Sequence, residues 1–377
     1  MRRRRKAAMI FLVLVGALFV GYGTAYVVSD DVRYLTRAGF EETRILQARQ
    51  PIDRLIRDSS IASDTRASLS LVLESRDYAA ALGLEAKKTY TTFADVGRDT
   101  LLMVLSASPK DCLCPHTWKY PIVGRVPYKG FFDFDMAREA AEEMERRGYD
   151  TYLRPSAAFS TLGWFNDPLL STALERDSTE LSALVFHEIA HNTLYVKSAT
   201  PFNESFAQMV GYRAAQSFYR SRGDSARAEH AAGRWHDEVL LSGYYHELSR
   251  RLDSIYGSGA DSTALDAGRS DVARWAREQL QDSLAPRFRT YRIGPLTERP
   301  INNARIIAAR IYRTRLDLLE AWFQEQGQDI GEAVRRLETL ERGARGDEAF
   351  QRLEQALDST AARGSPAIPD TPPSPQR

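Results

Sequence analysis

The chain has 377 residues, with 51 Lys plus Arg against 50 Asp plus Glu and a formal net charge of +1. A balance this even sets up no global field to recruit nucleic acid, so no DNA or RNA partner is expected. The length suits one catalytic domain with extensions better than a fixed count of two average domains.

The N-terminus reads as a membrane segment. Arg2 to Arg5 and Lys6 precede a run without charge from Ala7 to Val28. As a helix this run spans roughly 33 Å at about 1.5 Å per residue, enough to cross the hydrocarbon core of a bilayer. The basic cluster keeps the first residues cytoplasmic and sends the remaining chain to the far side. Gly23-Thr24-Ala25 offers small residues for a signal-peptide cleavage, which stands as the alternative. The run exceeds the usual apolar core of a signal peptide, and that favours an uncleaved anchor.

Beyond the anchor, residues 31–58 and 64–84 carry imperfect apolar stripes and read as two packed helices. Short apolar runs at 100–106 and 122–128, separated by Pro and Gly, read as strands. Residues 133–148 return to helix, with Asp133 at the start and Gly148 at the end, and strands are expected again at 149–154 and 159–164. After Asp177-Ser178 the pattern is helical almost to the end, over 179–196, 203–222, 227–256, 261–284, 301–326, 329–341 and 347–361. The expected fold class is α+β, a small β-sheet preceding a mainly helical array. The expected organisation is 1–29 as membrane anchor or signal segment, 30–363 as one domain, and 364–377 as a disordered tail rich in Pro, Ser and Asp.

Cys112 and Cys114 are the only cysteines. Their Cys-Leu-Cys spacing is short for a disulfide between them, and two thiols make a poor zinc site, so they read as a loop or strand-end pair without catalytic duty.

Chemistry concentrates in His187-Glu188-Ile189-Ala190-His191, with Glu204 following after twelve residues in Phe202-Asn203-Glu204-Ser205-Phe206-Ala207. Histidines four apart share one helix face, where both imidazoles can reach one metal, with Glu188 beside them. Pro201 starts a second helix that carries Glu204 in its first turn. His187, His191 and Glu204 then supply the three protein ligands of a catalytic zinc, one ion per chain, with a fourth position left open. Glu188 is the candidate general base and acid for water activated by the metal. With six histidines in the chain, a chance His-Glu-x-x-His is expected on the order of 0.01 times. His116, His230 and His236 lack paired spacing and read as surface or packing residues. The oxyanion of a tetrahedral intermediate needs a donor besides the metal, and Tyr244, Tyr245, His246 and Tyr291 are candidates.

The Phe202–Ala207 phrase resembles the Asn-Glu-Gly-Phe-Ala segment that follows His-Glu-x-x-His in zinc aminopeptidases of the gluzincin clan, where the Glu is the third zinc ligand. The separation is shorter here than in those enzymes. A closer resemblance, from about residue 31 to 340, is to a bacterial family of zinc aminopeptidases. It rests on Tyr128 to Phe132, Phe159 to Leu170, the helix from Phe186 to Tyr195, Phe202 to Ala207, and Asn302-Asn303-Ala304. It implies a zincin-like metallopeptidase domain with His187, His191 and Glu204 on the metal and Glu188 as acid and base. Many members carry a lipoprotein-type Cys after the apolar N-terminus and a Cys pair near residues 118–125. Here no Cys follows the apolar run, and Lys119 and Arg125 stand at those later positions.

By analogy with gluzincins, Phe159 to Gly163 is placed to be a strand edge that pairs with substrate backbone, with Ser160, Thr161, Leu162 and Gly163 as its substrate-binding residues. An ordinary sheet strand is the alternative. The expectation is thus a membrane-anchored zinc peptidase, held in the bacterial inner membrane by residues 7–28 with its catalytic domain on the extracytoplasmic side. Its substrates are peptides or proteins, and the exopeptidase half of the reading rests on the resemblance. Secretion after signal cleavage is the alternative location. The alternative function is a noncatalytic envelope scaffold with a structural zinc site.

Overall fold

The computed structural model describes residues 2–120, 124–156 and 168–364. The chain starts with α1 (Arg2–Val28), which includes twenty residues from Met9 to Val28 of mean hydropathy 2.1, none of them buried against the rest. By length and composition this helix can cross a membrane. Ser29 then caps α2 (Asp30–Gln47), its Oγ accepting from Val32 N. The single helix expected over 31–58 breaks at β1 (Gln50–Pro51) before α3 (Ile52–Arg57). Pro51 cannot donate to a helical ladder and disfavours helix at the residue before it, which accounts for the break.

There follow α4 (Ser63–Ala81), β2 (Thr92–Ala94), β3 (Leu102–Ser108), β4 (Trp118–Tyr120), β5 (Gly124–Val126), β6 (Lys129–Phe131), α5 (Phe134–Arg146), β7 (Asp150–Ser156) and β8 (Leu169–Leu170). One sheet has the order β1-β2-β8, with β2 and β8 parallel. Another is the antiparallel β6-β3-β7, and β4 and β5 pair separately. Leu105, Phe131, Ala137 and Ala141 pack α5 on one face of the second sheet, with Met103 and Leu153 against them.

The helical part comprises α6 (Ser178–Thr193), α7 (Thr200–Ser221), α8 (Ser225–Tyr256), α9 (Ser262–Glu278), α10 (Gly294–Thr297), α11 (Asn303–Arg310), α12 (Leu316–Glu325), α13 (Ile330–Leu340) and α14 (Glu348–Gly364). The largest core gathers α3, α4, α6, α7, α12 and α13, with Phe186, Ile189, Phe202, Phe206 and Met209 fully buried at its centre. The long α8 joins this core, through Ala231 and Trp235, to a second one where Leu241, Leu248 and Leu252 meet α9 and α11. The fold is mainly helical α+β, as the hydrophobic periodicity indicates.

Two local readings change. Cys112 and Cys114 are joined in a disulfide, because the chain turns after Pro109 and brings their Cα atoms to 5.3 Å, within the usual range for a bridge. The turn is pinned by Ser108 Oγ donating to Cys114 O (2.9 Å) and by Asn303 Nδ2 donating to Pro109 O (2.9 Å) and Cys112 O (3.0 Å). The helix expected over 301–326 is split in two by a turn at 311–315, in which Arg315 takes a left-handed φ of 52°.

Gly211 sets the approach of α7 to α6. A Cβ there would lie 2.8 Å from Ala183 O and 3.4 Å from His187 Cβ. A carbonyl in a helix cannot withdraw, so Gly211→Ala should push the helices apart and cost about 1–3 kcal/mol. Thermal unfolding should show a lowered midpoint. An unchanged midpoint would mean that the close approach at Gly211 is not a constraint on this packing.

Candidate metal centre

The α6 helix is capped by Asp177, whose Oδ1 accepts from Thr179 N (2.8 Å) and Glu180 N (2.9 Å) and so satisfies two first-turn donors. Leu181, Val185, Phe186, Ile189 and Ala190 are buried, which turns His187, Glu188 and His191 toward a half-buried flank. At the start of α7 each residue of the Asn-Glu-Ser triplet has a separate task. Asn203 is buried and ties down the connecting loop, its Oδ1 accepting from Val196 N (2.9 Å) and its Nδ2 donating to Val196 O (2.8 Å). Glu204 turns to the histidines. Ser205 Oγ accepts from Thr314 N (3.1 Å) and so holds the 311–315 turn against α7.

The three candidate ligands converge. His187 Nε2 lies 3.2 Å from His191 Nε2 and 3.4 Å from Glu204 Oε2, and His191 Nε2 lies 3.7 Å from the same oxygen. Among the described residues these three form the group whose donor atoms all lie within 4.8 Å of one another. Ligands about 2.0–2.1 Å from a tetrahedral zinc stand about 3.3 Å apart, so the donor chemistry and the spacing both fit the metal. Burial opposes the charge on Glu204, but hydrogen bonds from His187 and His191 outweigh it and hold its pKa down to about 2. Burial also opposes the protonated form of His191, whereas Glu204 and Glu188 favour it, and the net shift is upward. Protons therefore compete with a cation for this site through His191.

Glu188 is half-buried beside the triad, and its charge acts on His191 and on Tyr312. The Tyr312 ring sits 6.4 Å from that of His187, centroid to centroid. Burial raises its pKa, and Glu204 adds to the rise while Arg154 opposes it. Tyr128, just before β6, is partly exposed, and the desolvation of its phenol together with Glu204 raises its pKa while Arg154 lowers it. The site is thus a triad and a carboxylate from α6 and α7, with Tyr312 from the turn, and Tyr128 and Arg154 from the sheet.

Tyr312 holds its place through its neighbours. Arg313 Nε lies 2.6 Å from Glu238 Oε2, and that carboxylate is almost fully buried. Leu316 N donates to Ser242 Oγ (3.2 Å) beyond the turn. The oxyanion candidates read from sequence have other hydrogen-bond partners or surroundings. Tyr244 donates to Ala276 O (3.3 Å), Tyr245 is buried in the second core, His246 is exposed, and the Tyr291 hydroxyl donates to Glu238. Ser160, Thr161, Leu162 and Gly163 lie outside the described residues. Tyr312 escaped the sequence reading because 301–326 has a continuous helical pattern with no Gly or Pro to mark the turn. Tyr128 lay in a matched phrase but had no assigned role, and Arg154 is disclosed only by strand register.

Two helices that present His-Glu-x-x-His and a following Glu to one point define a candidate metallohydrolase centre. The chain belongs to the family described as "Putative aminopeptidase", whose model matches residues 33–352. No curated protein matches the chain, nor does any solved structure.

Removing a ligand should remove the metal. His187→Ala and Glu204→Ala are each expected to weaken zinc binding by at least about a hundredfold, read by equilibrium competition with a chromogenic chelator. Binding should also weaken as pH falls through the raised pKa of His191. Affinity independent of these substitutions and of pH would place the metal elsewhere.

Proposed function

We propose that the protein is a zinc-dependent peptidase of zincin-like architecture that removes N-terminal residues from peptides, anchored in a membrane by residues 7–28 with its catalytic domain on the extracytoplasmic side. The convergence of His187, His191 and Glu204 beside Glu188 carries this reading. The family supports peptide hydrolysis, and its description supports the aminopeptidase half. The apolar helix behind five basic residues supports the anchor, with a cleaved signal segment as the other reading of the same residues.

A bound zinc supplies Lewis-acid chemistry, polarising a carbonyl and making water acidic enough to react at neutral pH. Glu188 takes the proton from the attacking water and returns it to the departing amine nitrogen. Tyr312 offers its hydroxyl to the carbonyl oxygen as negative charge grows there. Its raised pKa keeps that proton on the phenol, so the group acts as a donor. Burial of Ile189, Phe202 and Phe206 around the ligand-bearing turns fixes these groups before substrate arrives.

The noncatalytic scaffold fits less well. A structural zinc closes its shell with four protein ligands, and the cluster among the described residues has three.

Glu188→Gln should retain one zinc per chain and lose about a hundredfold to ten-thousandfold in kcat on a peptide library. Tyr312→Phe should lower kcat by about a hundredfold with a smaller effect on KM. Undiminished turnover by the Glu188 variant would overturn its assignment as base, and a fall confined to KM would remove Tyr312 from the transition state.

A further inference from the structure

The site contains a cation that the hydrolytic chemistry does not require. Arg154 on β7 stands opposite Val104 on β3, and Gly130 on β6 stands opposite the same residue. Side chains alternate along strands, so Leu153 and Met103 face α5, and Arg154 and Val104 face the other way. On that side α11 runs along β7 from Asp150, whose Oδ2 accepts from Asn303 N (3.0 Å), and its C-terminal end leads into Tyr312. Gly130 leaves the middle of this row without a side chain.

On that side the charge of Arg154 acts on the phenols of Tyr128 and Tyr312, the same two phenols that Glu204 acts on. Other partly buried arginines in the chain are matched: Arg213 with Glu320, Arg234 with Glu180, Arg269 with Asp150, and Arg313 with Glu238. Arg154 is half-buried, its backbone is paired in the β3–β7 ladder, and among the described residues no hydrogen bond or ion pair engages its guanidinium. A planar, permanently charged fork at the edge of a hydrolytic site matches a carboxylate in shape and charge.

We propose that Arg154 is a specificity residue that receives a carboxylate of the substrate, so that the preferred substrates are peptides with a carboxylate close to the scissile bond. The assignment rests on the peptidase reading above. Two sources present the same chemistry to Arg154: an acidic side chain next to the cleaved bond, or the terminal carboxylate of a very short peptide.

The test uses the zinc-loaded full chain in detergent and two substrate pairs. Glu-Ala-Ala-amide against Gln-Ala-Ala-amide reads the side chain, and Ala-Ala against Ala-Ala-amide reads the terminal carboxylate. In at least one pair the carboxylate-bearing member should have a kcat/KM about tenfold or more above its neutral partner, and that pair identifies the source. Arg154→Met should bring the ratio close to one, and Arg154→Lys, which keeps the charge without the fork, should retain part of it. Hydrolysis with equal rates in both pairs overturns the proposal and leaves the peptidase reading in place. A preference that survives Arg154→Met overturns it too, as does an equal loss on charged and neutral substrates. If no peptide is cleaved by the wild-type chain, the peptidase reading fails and this assignment fails with it.

Discussion

Three donor atoms from two helices can meet at one point only where the helix backbones come close, and the approach of α6 to α7 is the constraint that the rest of the structure serves. Gly211 permits it, since any side chain there would strike Ala183 O and come into contact with the Cβ of His187. Asn203 fixes the length and direction of the loop between the helices by bonding both backbone groups of Val196. Around the pair, α4, α12 and α13 close an apolar core whose fully buried members include Ile189, one turn from each histidine's neighbours. Close packing of this kind resists small displacements, which limits how far the three side chains can drift from a common centre.

The same helices organise the groups that surround the triad. Ser205, next to Glu204, holds Thr314, while Glu238 on α8 holds Arg313, so the turn bearing Tyr312 is clamped from two helices at once. Arg315 completes the turn in a left-handed conformation that a residue with a Cβ adopts at a cost, offset here by these clamps and by the bond from Leu316 N to Ser242. Removing either clamp would loosen a phenol facing His187 without touching a ligand. On the opposite side the sheet presents Tyr128 and Arg154 from its β6 and β7 sides. The helical half therefore carries the candidate metal triad together with Glu188 and Tyr312, and the sheet half carries Arg154, with Tyr128 just before β6.

The candidate metal triad was legible in the sequence because its geometry is local. Histidines at i and i+4 share a helix face whatever the tertiary fold, and Pro201 announces the next helix. The helical array was legible for the same reason, through its periodicity and caps such as Asp133 and Asp177. Features fixed by distant parts of the chain were not. The Tyr312 turn is stabilised by residues from α7 and α8 and carries no Gly or Pro. The pairing of Cys112 with Cys114 depends on a turn braced by Asn303, far along the chain. Arg154 acquires its position from a strand register that no local pattern encodes.

Everything proposed for this site depends on one metal held by His187, His191 and Glu204. X-ray absorption at the zinc edge of the full chain tests it most directly, because scattering distinguishes imidazole nitrogen, carboxylate oxygen and sulfur around the ion. Two imidazoles among about four nitrogen or oxygen neighbours at about 2.0–2.1 Å are expected, with loss of this signature in His187→Ala. Sulfur at about 2.3 Å, or an unchanged spectrum in the variant, would contradict it.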